Sequence, residues 1–179
     1  MEEKKRELLK MLAEQLSESD DIDRAEFFTK EELEAPVDIT RVIISDIGAE
    51  LISVLGEFYF LPLEDEEMLF FACGITVTDD IEDHEKTDLY SAVARINYLL
   101  PFGSFAMDEG GDNVVYRYTV PVLADSDDDT IRKIMLTSVD AAVSMVDRFE
   151  SYLMLVQEGN VTPDEMIKAI KGNTDSSEA

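Results

Sequence analysis

Leu100 to Val156 reads LPFGSFAMDEGGDNVVYRYTVPVLADSDDDTIRKIMLTSVDAAVSMVDRFESYLMLV. Phe105 to Met107 is a short run that can be extended, and Asp108-Glu109-Gly110-Gly111-Asp112 is a turn. Gly110 and Gly111 give that turn access to positive φ, as a tight hairpin requires. Val114, Tyr116, Tyr118 and Val120 then alternate with Val115, Arg117 and Thr119. A period of two puts the first set on one face, which is assigned to the core. Pro121 has no N–H for a ladder, so it is expected at the end or the edge of the strand. The run Asp125 to Asp129 supplies N-cap candidates, and its charges suit a helix N-terminus. Beyond it Ile131, Met135, Val139, Ala142, Val146, Phe149, Leu153 and Val156 recur at spacings of three and four. They form one stripe of a long helix, broad enough to cover a sheet. Gly159 is the natural stop.

Working outward, the first 60 residues add a helix and two strands. Residues 2–18 carry Leu8, Leu12 and Leu16 on one helical face, with Leu9 and Ala13 beside it. The acidic run Glu18 to Asp23 reads as a break. Thr29-Lys30-Glu31-Glu32 has the form of a capping box, and Pro36 keeps any helix there short. Strands are expected over Arg41–Ile47 and Ile52–Leu61.

Between these and the decisive stretch come a charged turn, a third strand and a second helix. The turn is Glu64 to Glu67, and the strand is Met68–Thr78. Leu69, Phe71, Cys73, Ile75 and Val77 make one face of that strand apolar throughout, which marks it as central. After a polar loop a helix runs from Thr87 to Leu100, with Leu89, Val93, Ile96 and Leu100 inward. Thr162-Pro163 opens a last helix, which Gly172 is expected to end.

The order is α-β-β-β-α-β-β-α plus a C-terminal helix. Strands joined by short turns imply an α+β domain with an antiparallel sheet of about five strands. It is expected as a single domain over residues 1–172, with a disordered tail over 173–179.

Composition sets the functional bounds. The 179 residues include 41 acidic and 15 basic ones, a formal net charge of -26. That field opposes nucleic-acid backbones and anionic membranes. A single cysteine, Cys73, excludes an internal disulfide framework and fits a reducing compartment. The N-terminal residues lack an apolar signal core. The most apolar stretch, Leu69 to Ile75, is far shorter than the ~20 residues of a membrane helix. The expected setting is cytoplasmic.

Three pieces in a fixed order resemble the YbjN-like family and, more widely, the fold of class I type III secretion chaperones. They are Arg95-Ile96-Asn97-Tyr98, then Gly103-Ser104-Phe105-Ala106-Met107-Asp108, a G-x-F-x-x-D run, then Val115-Tyr116-Arg117-Tyr118. The resemblance covers roughly Asp38 to Gly159. It implies a small, acidic, usually dimeric bacterial module that binds other proteins, with no shared catalytic residues. The Asp20 to Pro36 segment and the helix after Thr162 depart from the chaperone pattern.

No chemistry-bearing motif outweighs its plainer reading. His84 is the only histidine and lies in a polar loop without a nucleophile motif. Cys73 in an apolar strand reads as a buried thiol. The Asp125–Asp129 run lacks the glycine and the glutamate of a calcium loop, since Thr130 and Leu136 stand there. Gly110-Gly111 lacks the Lys and Ser/Thr of a phosphate loop, and Ser53, Ser104 and Ser138 lack a nucleophile elbow.

The reading is therefore a non-catalytic protein-interaction module, chaperone-like or regulatory, with no cofactor or metal. The alternative is a small-ligand or cation-binding regulator using the acidic loops. The expected partner is another protein, and a homodimer is expected because Phe58, Tyr59, Phe60 and Leu61 present large groups on both faces of one strand. Candidate partner-binding residues are Leu8, Leu12, Leu16, Phe58, Tyr59 and Phe60, the three leucines on condition that the core does not need them.

Overall fold

In the computed structural model, which describes residues 1–63 and 67–175, a 15-residue helix opens the chain: α1 (Glu2–Leu16). Then come β1 (Ile22–Phe28), α2 (Lys30–Leu33), β2 (Ile39–Ile47), β3 (Ile52–Phe60) and β4 (Met68–Thr78). The second half holds α3 (Lys86–Asn97), β5 (Ser104–Met107), β6 (Val114–Leu123), α4 (Asp128–Gln157) and α5 (Pro163–Asp175). The expected charged turn at 64–67 lies largely outside the described residues. The class is α+β, as expected.

All strands pair antiparallel in one sheet of order β1-β2-β3-β4-β6-β5. The sheet has six strands because β1 forms where no strand is expected, from the end of the acidic break to Phe28. Every residue of β1 is half-buried or exposed, as suits an edge strand. β4 is central and the longest strand, and its Leu69, Phe71, Cys73, Ile75 and Val77 are all buried. Pro121 sits inside β6, opposite Phe70 of β4. β5 reaches only to Arg117, so at Pro121 the other side of β6 is free and no ladder bond is lost.

Local chemistry sets the helix ends. Thr29 and Glu32 form the capping box of α2, and Glu34 ends it in the left-handed region at φ 52. The Asp127 carboxylate caps α4, accepting from Thr130 N at 2.9 Å. At the far end Gly159 (φ 70) donates to Val156 O and Asn160 to Leu155 O, a Schellman stop. Thr162 and Glu165 repeat the reciprocal cap at the start of α5. Gly172 does not end α5, which continues to Asp175. A helical glycine costs only about 1 kcal/mol. Residues 176–179 of the expected tail lie outside the described residues.

One face of the sheet takes the helices and the core. The whole α4 stripe from Ile131 to Val156 is buried there, against β4, β6 and β2. α1 packs on β1, β2 and β3, and its backbone accepts a 2.8 Å bond from buried Thr40 at Leu9 O. α5 packs on α3 and α4 rather than on the sheet, so it does not cover the strands.

Candidate interaction surface

The residues that carry the family resemblance are structural. Asn97 ends α3 and turns its side-chain amide onto Phe105 of β5. Its Nδ2 donates to Phe105 O and its Oδ1 accepts from Phe105 N, both at 2.8 Å. The amide thus occupies the place of a neighbouring strand along the free edge of β5. Gly103 holds φ 65, and a Cβ there would collide with the Tyr116 hydroxyl, which donates to Phe102 O at 3.0 Å. Phe105 is buried, with its ring 5.0 Å from Tyr116 and 6.1 Å from Phe149. Asp108 closes the hairpin: its carboxylate accepts from Asn113 Nδ2 at 2.6 Å and from the N–H of Asp112 at 2.9 Å. Those bonds, Asn113's first, hold its pKa below the usual aspartate range. Gly111 supplies the positive φ of the turn.

The reactive groups named from the sequence are placed apart. Cys73 is buried, and burial pushes its thiol up to about 12. His84 is exposed, 3.3 Å from Glu82. In the acidic run Asp127 is spent on the cap, Asp128 pairs with Lys4 at 3.2 Å, and Asp129 pairs with Arg132 and Lys133. Among the described residues no three His, Cys, Asp or Glu side chains lie where they could share an ion.

One buried carboxylate has no role in a cap. Glu150 on α4 is 2 % exposed, and burial raises its pKa. Ser151 Oγ donates to it at 2.8 Å, while nearby Glu50 and Asp147 push the same way as burial. The β2–β3 turn docks here: Gly48 N donates to Asp147 and Ala49 N to Ser151 Oγ.

Five of the six candidate partner-binding residues lie in the core. Leu8, Leu12 and Leu16 are at most 6 % exposed, and Phe58 and Phe60 at most 2 %. The α1 stripe covers β1 to β3, so it is not spare. Phe58 stacks on Phe71, and Phe60 packs against the same ring at a tilt. The alternation of β3 does put one residue of its aromatic run on the opposite side: Tyr59, half-buried, on the face that no helix covers.

Strand register builds that face row by row. Glu26, Arg41, Glu57, Gly74, Arg117 and Ser104 are consecutive partners across all six strands. One row on either side runs Phe28-Ile39-Tyr59-Ala72-Thr119 and Arg24-Ile43-Leu55-Thr76-Val115-Ala106. The flanking rows are mostly apolar and the middle row alternates in charge. Arg41 bonds Glu57 at 2.7 Å and lies over the Phe28 ring, and Arg24 bonds Glu26 at 2.7 Å. Arg117 is exposed and has no ion-pair partner among the described residues. Small side chains on β4 leave a groove of about 300 Å³ above Gly74 and Thr76, walled by Glu57 and Tyr59 on one side and Val115 and Arg117 on the other. Sequence reasoning reached only Tyr59 here, because the other residues meet through register.

Comparison with known proteins places this architecture. A family model for YbjN, described as "Putative bacterial sensory transduction regulator", matches residues 55–153, more than half of the chain. The chain belongs to the YbjN family. The match spans β3 to nearly the end of α4, so it takes in the Asn97 clamp, the Gly103 turn and the Asp108 hairpin. No curated protein matches the chain. No helix among the described residues is long and apolar enough to cross a membrane.

Proposed function

We propose that this YbjN-family chain is a non-catalytic regulatory module that acts in the cytoplasm by recognising another protein, with a homodimer as its working unit. The observation that carries the reading is the one-sided sheet. α1, α3 and α4 pack on one face of the sheet, and among the described residues no helix packs on the other, where Leu55, Tyr59 and Val115 are left partly open. The open face suits a second copy of the chain, and the free edge of β1 is a surface to which a partner protein can add a strand. The family description, a regulator, supports a role without chemistry. So does the use of the motif residues, whose polar groups are consumed in holding the hairpin and β5. The net charge of -26 favours a basic protein partner over nucleic acid. The likeness to secretion chaperones supports the same mode of action, the holding of a partner segment.

Affinity capture from the native cell, followed by mass spectrometry, tests this. The expected result is a recurrent protein partner held by the wild type and lost from a Tyr59→Asp variant that still melts cooperatively. A small molecule or metal ion co-purifying in stoichiometric amount, with no protein partner, overturns the reading in favour of a ligand-binding regulator.

A further inference from the structure

The uncovered face has a property that singles out its occupant. The chain carries 26 more acidic than basic residues, yet the three central rows hold Arg24, Arg41 and Arg117 against Glu26 and Glu57. Those rows hold three arginines against two glutamates, so two copies meeting by this face escape the local like-charge repulsion that the chain's acidic excess would otherwise bring. The pattern is also self-complementary. Glu57 and Arg117 flank Gly74 on the two neighbouring strands in the same row.

We propose that this face binds a second copy of the chain, the two sheets packed face to face about a two-fold axis running along β4. This rests on the dimer reading above and adds the surface and its contacts. A two-fold axis between two faces lies in the plane of the interface. Laid along β4, it sends β3 of one copy over β6 of the other and preserves position along the strand. Glu57 then meets the second copy's Arg117, twice over, and Leu55 meets Val115. Aligned packing of this kind is the usual arrangement of two stacked sheets, at about 10 Å separation. The small residues of β4 lie on the axis and face themselves. Their grooves oppose one another and give the long Glu57 and Arg117 side chains room to lie across. Glu57 ends between its own Arg41 and the incoming Arg117, and gives Arg117 the ion-pair partner it lacks among the described residues.

Reversed charges test this directly. In Arg117→Glu, two like-charge contacts replace the two ion pairs. The dimer dissociation constant is expected to rise about 100-fold or more, a loss of at least about 2.8 kcal/mol over the two contacts together. Glu57→Arg is expected to do the same. An equimolar mixture of the two variants restores both attractions and is expected to form a heterodimer with affinity near that of the wild type. The readout is light scattering coupled to size exclusion, with thermal melts to show that each variant is folded. If the variants are as dimeric as the wild type, or the mixture stays monomeric, the proposed interface is wrong although a dimer exists elsewhere. If the wild type is itself a monomer, the dimer reading falls with it. A second measurement avoids core and ion-pair changes. Thr76→Cys places a thiol on the axis, while native Cys73 is buried and unreactive. A short bis-maleimide is expected to give a covalent dimer, whereas Tyr98→Cys, on the helical side and 90 % exposed, gives none. Cross-linking from Tyr98→Cys but not from Thr76→Cys overturns the proposal.

Discussion

Replacing Asn97 with alanine removes a side chain that touches no candidate partner surface, yet it should be among the more damaging single changes in the chain. Asn97 makes two 2.8 Å bonds to the backbone of Phe105, and Phe105 is 1 % exposed. β5 has only four residues and a neighbouring strand on one side alone. Alanine leaves an N–H and a C=O without partners at the point where β5 is most buried. Each such group costs about 1–3 kcal/mol when unsatisfied. Partial access of water at the sheet's edge brings the pair to about 2–4 kcal/mol. For a domain of this size each kcal/mol moves the melting temperature by about 2–4 °C, so a fall of roughly 4–16 °C is expected. Urea denaturation should show a lower midpoint with an unchanged m-value, because the fold and its buried surface stay the same. Amide exchange adds a local signature: the Phe105 N–H should lose protection relative to those of β4. A loss under about 1 kcal/mol, or an unchanged Phe105 amide, refutes the reading of Asn97 as a strand surrogate and reopens it as a functional residue.

Three further outcomes follow from the same structure. Gly103→Ala forces a Cβ at φ 65 into the Tyr116 hydroxyl, and urea unfolding should show a loss of about 2–4 kcal/mol. Glu150→Gln should stabilise the protein increasingly with pH. The raised pKa of Glu150 means that wild-type stability is full below the ordinary glutamate value near 4.3 and is lost as pH rises through the raised value, each unit being worth about 1.4 kcal/mol. Paired melts from pH 5 to 8 should therefore diverge, and a constant offset contradicts the assignment. Finally, the melting temperature should rise between 0.01 M and 0.15 M salt, as the Debye length falls from ~30 Å to ~8 Å and screens the repulsion of a -26 chain; a fall would mean that attractive pairs dominate.

Much of the fold was legible because the signals were local. The alternation in β3, β4 and β6, the α4 stripe and the cap residues Thr29, Asp127 and Thr162 each act within a few residues, and each element forms where those patterns lie. β1 was not legible: it is an edge strand that turns only Ala25 and Phe27 toward the core in alternation, with Asp23 breaking the pattern before them. Gly159 and Gly172 look alike in sequence, but only Gly159 adopts positive φ and ends a helix. The interaction surface was legible at Tyr59 alone. An apolar stripe such as Leu8, Leu12 and Leu16 shows that something packs on it, and here that partner is the chain's own sheet. The charge row from Glu26 to Arg117 draws on five strands, and only their register makes it a row. Asn97 shows the opposite case, a motif residue easily taken for a functional one that serves the backbone.

Self-association into a homodimer is the central proposal. Light scattering coupled to size exclusion, run over a concentration series from very low to moderate salt, measures this most directly. The apolar rows flanking a neutral charge row predict a homodimer at moderate salt. It should weaken at very low salt, where the -26 charge on each copy is least screened. A monomer at every concentration and every salt level would contradict it.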